Sequence, residues 1–435
     1  MSPTLIAGAT VLPMEPPEAV LSPGWIRIEG DRIAAVSALP LASQPDEEVI
    51  DGTGFLALPG LINCHTHLAM TLLRGVADDQ PLMPWLQETI WPLEKHLTSE
   101  DLYWGTALGV AESLLGGVTT VCDLYFQPAV TARAVAESGI RAVLSGVVME
   151  VLPDPERQLE QATKFIGDHR GGADGRITTV FGPHAPYTVG AELLRKVCDA
   201  ARRLGVGLHT HLSETREEVE NAPREFGMTP IAYWDSLGAF DGIAPIIAAH
   251  CVHPTDDEIE LLARKGIGVA HNPGANLKLA AGVAPVPQML RAGVTVGLGT
   301  DGPASNNNLD LLEEVRLAAL IHKGVSGDPT AVPALQALRM ATRDAAAVLG
   351  MGDRIGRLAP GYQADVMLVD TRGLHLAPTT NLVSHLAYSA RASDVRTVFV
   401  AGKALVRDGM LTTIDADLVR AQANAATQRL LAAAR

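Results

Sequence analysis

The sequence predicts an α/β fold, a distorted (β/α)8 TIM barrel with a small β-sandwich domain built from both chain ends. Two observations predict this fold. In residues 58–360, short apolar or β-branched runs alternate with amphipathic stretches of helical length, and eight of the runs are candidate strands. Strand–helix–strand repeats give parallel strands, and eight of them favour a closed barrel over an open sheet. In residues 1–57 and 361–435, strands alternate with turns instead.

The N-terminal segment, residues 1–57, is the first half of the predicted sandwich. Apolar and polar residues alternate in 25–29 and in 32–36, on either side of the turn Gly30-Asp31. Alternation across a Gly-Asp turn is typical of a β-hairpin. The barrel strands that follow this segment begin near residue 61.

One repeat of the barrel shows how its helices and strands are recognised. Thr98 followed three residues later by Asp101 predicts a capped helix start, and Gly116-Gly117 predicts the helix end. The β-branched run 118–122 then predicts a strand. The other candidate strands are 62–67, 141–148, 177–182, 205–211, 246–249, 266–271 and 295–300.

The C-terminal segment, residues 361–435, returns to alternating strands and turns. Strand patterns occupy 361–369 and 395–402, and the alanine-rich tail from Ala416 to Arg435 predicts a surface helix. The simplest arrangement joins these strands with the N-terminal ones in a single β-sandwich. The barrel is then an insertion between the two halves of the sandwich.

The composition limits the kind of partner. The formal net charge is -15, whereas nucleic-acid binding needs clustered Lys and Arg to neutralise phosphates. We therefore expect no nucleic-acid partner and a small substrate that is neutral, zwitterionic or cationic.

The cysteines, Cys64, Cys122, Cys198 and Cys251, form no C-x-x-C pair and suit a reducing compartment. With no signal peptide and no membrane-spanning run, we expect a cytoplasmic homo-oligomer, a dimer or tetramer.

Ionisable residues lie at the C-terminal ends of the predicted strands, the rim at which α/β barrels build active sites. The first strand ends in His65 and His67, which a period of two places with Asn63 on one face, opposite Cys64 and Thr66. The other strand ends supply His184, His211, Glu214, His250 and Asp301. A single buried histidine is more often a hydrogen-bonded structural residue than a ligand. So many polar groups at one rim would cost several kcal/mol to bury unpaired, a cost that a metal ion offsets.

Neutral imidazoles with one carboxylate are a typical ligand set for Zn²⁺ or Fe²⁺. We assign His65, His67, His211 and Asp301 as the ligands of a divalent ion. His209 shares the strand parity of His211 but lies one layer deeper in the barrel, which makes it the weaker ligand candidate.

The same rim carries groups suited to proton transfer. A metal ion of this kind activates a water molecule by lowering its pKa towards neutrality. Glu214 can deliver a proton to a ring nitrogen of the substrate, and His250 can polarise or deprotonate the water. Asp301 can relay a proton to the leaving group. These three are the candidate catalytic residues.

The chain resembles the amidohydrolase superfamily, and more narrowly its deaminases acting on 5'-methylthioadenosine and S-adenosylhomocysteine. The resemblance covers nearly the whole chain. The matching segments are PGLINCHTH at 59–67, FGPHAPY at 181–187, HLSET at 211–215, AHC at 249–251, HNP at 271–273 and GTDG at 299–302.

The resemblance implies one metal per subunit, zinc with Fe²⁺ as the alternative, because no lysine suited to a bridging carbamate follows a mid-barrel strand. It implies that Glu94 accepts hydrogen bonds from the ribose hydroxyls and that His184 and Glu214 contact the purine. Trp85, and less clearly Trp91, would wall the pocket for the 5'-substituent. Arg141 and Arg157 are loose candidates for binding the amino-acid tail of S-adenosylhomocysteine.

The implied reaction is hydrolytic deamination of 5'-methylthioadenosine to its inosine analogue and ammonia, with S-adenosylhomocysteine or adenosine as further substrates. One alternative within the superfamily is a deaminase of a free base such as guanine, 8-oxoguanine or cytosine, or a triazine chlorohydrolase. Another is a non-catalytic scaffold that has kept the barrel. The presence of all the candidate ligands and proton-transfer residues argues against the scaffold.

Overall fold

The structure, a computed structural model, describes residues 2–17 and 19–433. The predicted fold class is confirmed, with a parallel eight-stranded barrel and a separate mixed sheet made from both chain ends. Ala434 and Arg435, the end of the predicted tail helix, lie outside the described residues. Among the helices of the described residues, none combines the length and apolar character that a membrane crossing requires.

The barrel strands pair in sequence order, each parallel to the next, so all their C-terminal ends meet at one rim. Their bounds are Leu61–Thr66, Val118–Asp123, Arg141–Val148, Ile177–Pro183, Leu208–Leu212, Ile246–His250, Gly268–His271 and Val296–Leu298. All eight were predicted from the sequence, with ends that differ by up to three residues. The last strand meets the first where the Asp301 N–H donates to the His65 carbonyl at 3.0 Å.

The sequence predicts strict alternation of faces along the first barrel strand, but the strand is irregular. Its register against the second strand shifts between Asn63 and Thr66. The Asn63 side chain bridges to the last strand, where Nδ2 donates to Thr300 Oγ1 at 2.8 Å and Oδ1 accepts from the Thr300 N–H at 3.1 Å. Asn63 therefore links the first barrel strand to the last one.

Helices follow the barrel strands and cover the outside of the barrel. The predicted capping box is present, with Thr98 and Asp101 bonded reciprocally at the start of Ser99–Leu115. The other long helices are Pro128–Ser138, Pro155–His169, Ala191–Leu204, Arg216–Phe226, Asp256–Lys265, Leu311–Ser326 and Ala416–Ala433. Shorter helices are Pro230–Ser236, Pro273–Lys278, Val286–Ala292, Ala334–Met340, Arg343–Val348 and Leu382–Tyr388, and helical turns cover Leu68–Leu73 and 82–94.

Strands from the two chain ends form one continuous nine-stranded mixed sheet. The strand Phe55–Pro59 pairs with Val366–Asp370 and so joins the N-terminal half to the C-terminal half. The predicted hairpin is present as Leu21–Glu29 and Arg32–Ser37. The remaining strands are Thr4–Val11, Glu48–Asp51, Val395–Val400, Lys403–Arg407 and Met410–Leu411.

A buried ion pair fastens this sheet to the barrel. The Arg141 guanidinium donates to both carboxylate oxygens of Asp365, at 2.9 and 3.1 Å, and to Gln363 Oε1 at 3.0 Å. The Ala401 N–H donates to the same carboxylate at 2.7 Å, which leaves the buried charges well satisfied. Because Arg141 begins its barrel strand, it lies at the end of the barrel away from the rim. Its guanidinium is committed to this contact, so the suggestion that Arg141 binds a substrate tail is wrong.

Candidate active-site pocket and metal centre

Side-chain atoms from the ends of three barrel strands converge at the rim. His67 Nε2 lies 3.2 Å from Asp301 Oδ1 and 3.4 Å from His211 Nε2, and His65 Nε2 lies 3.3 Å from the same Asp301 oxygen. Ligand atoms held about 2.0–2.1 Å from a tetrahedral zinc ion lie roughly 3.3 Å from one another. The spacing of these atoms therefore matches the edges of a tetrahedral site.

Backbone carbonyls orient two of these imidazoles. His67 Nδ1 donates to the Leu124 carbonyl at 2.5 Å, and His211 Nδ1 donates to the His184 carbonyl at 2.8 Å. With the proton held on Nδ1, each Nε2 keeps its lone pair for a metal. Burial lowers the pKa of His67, but its contact with Asp301 more than offsets this and raises the pKa. The space between these imidazoles and Asp301 therefore favours a positive charge.

His65 is oriented by a second histidine beneath it. His65 Nδ1 lies 2.8 Å from His209 Nε2, and His209 Nδ1 lies 3.0 Å from Ser145 Oγ and 3.4 Å from Cys122 Sγ. Burial lowers the pKa of His65 to about 3 and that of His209 well below its usual value, so both rings are neutral. His65 Nε2 is buried and has no hydrogen-bond partner among the described residues. An orphaned, neutral imidazole nitrogen at this place fits a metal ligand.

Asp301 is held in an unusual backbone conformation at the end of the last strand, with φ of +60°. Its Oδ2 accepts a hydrogen bond from Ser305 Oγ at 2.6 Å, while Oδ1 faces the histidines. Burial raises the pKa of Asp301, but His65 and His67 lower it well below the usual range, so the group is a carboxylate. Left-handed backbone at a non-glycine residue costs of order 1–3 kcal/mol and is concentrated at functional sites.

Glu214 and His250 lie beside the converging imidazoles. Glu214 Oε1 is 3.8 Å from His250 Nδ1, and that nitrogen donates to Asn276 Oδ1 at 2.8 Å. The Glu214 backbone N–H donates to Glu218 Oε2 at 2.7 Å, which fixes the loop that carries the side chain. Burial raises the pKa of Glu214 and so favours its protonated form. The pair can therefore offer one proton donor and one proton acceptor.

Two overlapping groups of side chains at the rim are close enough to hold a metal. One consists of His65, His67 and His211, and the other of His65, His250 and Asp301. Since His65 belongs to both, the arrangement offers five donors around one point. His250 therefore lies close to the same group of side chains.

Among the described residues, a pocket opens onto this group and is lined by both polar and apolar side chains. His184 is held by a hydrogen bond between its Nδ1 and Thr188 Oγ1 at 2.9 Å. Glu94 lies at the pocket wall, where its Oε1 accepts a hydrogen bond from the Tyr125 hydroxyl at 2.6 Å. The sequence-predicted residues that line the pocket are His67, Trp85, Trp91, Glu94, His184, His211, Glu214, His250 and Asp301.

Sequence reasoning missed the residues that orient these side chains. Tyr125, Thr188, Asn276 and Ser305 each bond a predicted site residue but were not singled out. Tyr125 follows the strand Val118–Asp123 by two residues, so the rule that selected the other strand ends could have found it. Arg157, the second candidate for a substrate tail, is exposed and is not among the described residues that line the pocket.

Comparison with known proteins agrees with this geometry. Residues 56–405 match the model of the amidohydrolase family. The chain belongs to the amidohydrolase family. It is 48% identical over 434 residues to the 5-methylthioadenosine/S-adenosylhomocysteine deaminase of Pelotomaculum thermopropionicum, covering 99% of each chain. It is 52% identical over 375 residues to the enzyme of the same name from Dictyoglomus thermophilum, covering 86% of this chain and 87% of the relative.

Solved structures of amidohydrolase-type enzymes are also similar. A zinc-bound adenosine deaminase from Xanthomonas campestris superposes with a TM-score of 0.94 at 37% identity, covering 99% of this chain and 98% of the other. A zinc complex of atrazine chlorohydrolase from Arthrobacter aurescens superposes with a TM-score of 0.91 at 29% identity, covering 98% of this chain and 100% of the other. Both of these structures carry zinc, which together with the cluster of histidines supports a divalent metal in this chain.

Proposed function

We propose that this protein is a zinc-dependent hydrolytic deaminase of 5'-modified adenosines, with 5'-methylthioadenosine as its preferred substrate and S-adenosylhomocysteine or adenosine as further ones. The observation that carries the proposal is a buried acid, Glu214, beside converging imidazoles in a pocket whose wall holds a second acid, Glu94. The near full-length identity to deaminases of that name supports it.

His65, His67, His211 and Asp301 would hold the metal. Three imidazoles and one carboxylate are a zinc ligand set, and no lysine is among the described residues that line the pocket, which favours one ion per subunit. Bound zinc supplies Lewis acidity that lowers the pKa of a water molecule towards neutrality.

The reaction adds water across the C6–N1 bond of the purine and then expels ammonia. Protonated Glu214 donates its proton to N1 as the water oxygen attacks C6, and His250 accepts the proton that the water loses. Asp301, a carboxylate at the start, takes the proton of the C6 hydroxyl and relays it to the amino group as the C6–N6 bond breaks, so that ammonia leaves as a neutral molecule and a C6 carbonyl forms; His250 then returns its proton to Glu214. Burial suits Glu214 to the first step, because it raises the pKa of the carboxyl group and so favours the protonated form.

Three further side chains recognise the rest of the nucleoside. Glu94 accepts hydrogen bonds from the vicinal ribose hydroxyls, and a carboxylate suits that role because both its oxygens are acceptors. His184 contacts the purine ring. Trp85, which is buried at the pocket wall, packs against the 5'-substituent.

A direct assay tests the proposal. Purified zinc-loaded protein incubated with 5'-methylthioadenosine is expected to shift the purine absorbance to that of the inosine analogue and to release one ammonia per turnover. Parallel assays with adenosine, S-adenosylhomocysteine, guanine, cytosine and atrazine rank the substrates. If the nucleosides are untouched while a free base or the triazine reacts, the alternative functions of the superfamily take the place of this proposal.

Glu94→Ala separates nucleoside recognition from the chemistry. Hydrogen bonds to a charged group contribute about 1.5–3 kcal/mol, so kcat/KM for 5'-methylthioadenosine is expected to fall roughly 10–150-fold. Burial raises the pKa of Glu94 to about 7. Only the carboxylate accepts two hydroxyls, so wild-type kcat/KM should decline as pH falls through about 7, and the variant should lack that decline. Glu88→Ala, an exposed glutamate of the same helical stretch, is the control. An unchanged kcat/KM in Glu94→Ala would remove Glu94 from the binding site.

A further inference from the structure

Glu94 sits in the pocket wall with one of its two carboxylate oxygens already engaged. Its Oε1 accepts the Tyr125 hydroxyl at 2.6 Å, and both residues line the pocket. The largest influence on the pKa of Glu94 is burial, which raises it, and the Tyr125 hydrogen bond is the largest opposing one. Burial also raises the pKa of Tyr125 well above its usual value, so the phenol keeps its proton and stays a donor.

Tyr125 belongs to a short segment that also supports the metal centre. The Leu124 carbonyl accepts from His67 Nδ1 at 2.5 Å, and Asp123 Oδ1 accepts from the Leu68 N–H at 2.7 Å. Residues 123–125 thus contact both the metal end of the pocket and Glu94. A rigid connection of this kind sets the distance between the two ends of a bound molecule.

The Tyr125 ring is well fixed in its own surroundings. It is 5% exposed and packs in one buried cluster with Trp85 and Leu102, with the Phe126 ring centroid 5.1 Å away. A buried aromatic ring with a bonded hydroxyl has little freedom to move. The direction of its O–H bond is therefore set by the fold before any ligand arrives.

We propose that Tyr125 is a positioning residue for nucleoside recognition: it holds the Glu94 carboxylate so that Oε2 faces the ribose hydroxyls at a fixed distance from the metal centre. The phenol oxygen donates a hydrogen bond to Glu94 and still has lone pairs that can accept a hydrogen bond from a second ribose hydroxyl. Glu94 and Tyr125 together then offer acceptors for both members of the vicinal diol. This inference rests on the proposed function.

Tyr125→Phe tests the proposal, because it removes only the hydroxyl and keeps the ring that packs in the cluster. The substrates are 5'-methylthioadenosine and its 2',3'-dideoxy counterpart. We expect kcat/KM for the riboside to fall about tenfold or more, mainly through KM, and kcat/KM for the dideoxy substrate to change less than about twofold. The acid limb of the riboside pH profile should move to higher pH, because the lost hydrogen bond favoured ionised Glu94.

Tyr103→Phe is a matched control, because Tyr103 donates to Glu137 on the outer surface and loses the same kind of bond. It should leave both substrates and the pH profile unchanged, and all variants should carry as much zinc as the wild type. Equal losses on both substrates, or no loss on either, would overturn the role of Tyr125. A wild-type protein that deaminates neither nucleoside would instead overturn the proposed function, so the two failures are distinguishable.

Discussion

Glu214→Gln is expected to lower kcat on 5'-methylthioadenosine by about 10²–10⁴-fold, the usual contribution of a general acid or base. Glutamine keeps the shape of the buried side chain beside His250, but it has no acidic proton to give to N1. KM and zinc content should change little, since Glu214 is not among the assigned ligands. Steady-state kinetics with metal analysis of the same sample measures all three.

The pH dependence gives a second test of Glu214. The residue acts in its protonated form, and burial raises its pKa, so activity is lost as pH rises through that raised pKa. The variant should lose this alkaline limb along with most of its rate. Glu217→Gln alters an exposed glutamate three residues away on the same segment and should match the wild type. A Glu214→Gln enzyme with wild-type kcat would exclude Glu214 as the proton donor.

The positions of the site residues could be predicted because a parallel barrel brings its strand ends together. His211, His250 and Asp301 are far apart in the chain, yet each follows an apolar run, and the eight runs are readable in the sequence. The alternation of faces also predicts that His209 lies one layer deeper than His211 and is the weaker ligand candidate. In the structure His209 lies beneath His65 as its hydrogen-bond partner. Alternation along one strand was sufficient for that distinction.

Features that depend on contacts between distant segments were not predictable in this way. The register shift around His65 arises where the first strand pairs with the second, and nothing in the local sequence marks it. Asn276 bonds His250 from the short helix Pro273–Lys278, and Ser305 bonds Asp301 from a loop; the positions of both segments depend on the packing around them. The ion pair of Arg141 joins residues more than 200 positions apart. Its partner could not be found without the three-dimensional arrangement of the sheet against the barrel.

The orienting contacts matter because the ligands must be held in place before the metal arrives. Each assigned histidine has its Nδ1 engaged by a carbonyl or by another ring, so its Nε2 points to a common centre. Such outer partners typically contribute about 10–100-fold to metal affinity or activity. The metal centre therefore depends both on the assigned ligands and on the groups that orient them, and only the ligands were predicted from the sequence.

His67→Ala is expected to abolish zinc binding and with it deamination. His67 Nε2 is central to the group, at 3.2 Å from Asp301 Oδ1 and 3.4 Å from His211 Nε2, and its removal leaves a buried carboxylate without the neighbour that stabilises it. Zinc measured per chain should fall from about one to near zero, because the metal site loses one of its four assigned ligands. The protein should also unfold at a lower temperature, since an unpaired buried charge is destabilising.

Two controls separate metal loss from a general loss of structure. Cys64→Ala alters the residue next to His65, whose thiol contacts the Ala345 carbonyl at 3.6 Å within a buried apolar cluster. It should cost on the order of 1 kcal/mol of stability and leave zinc content at the wild-type value. His96→Ala removes an exposed imidazole and should change neither quantity. If His67→Ala retained a full equivalent of zinc while remaining folded, His67 would not be a ligand, and the tetrahedral spacing of the rim atoms would need another explanation.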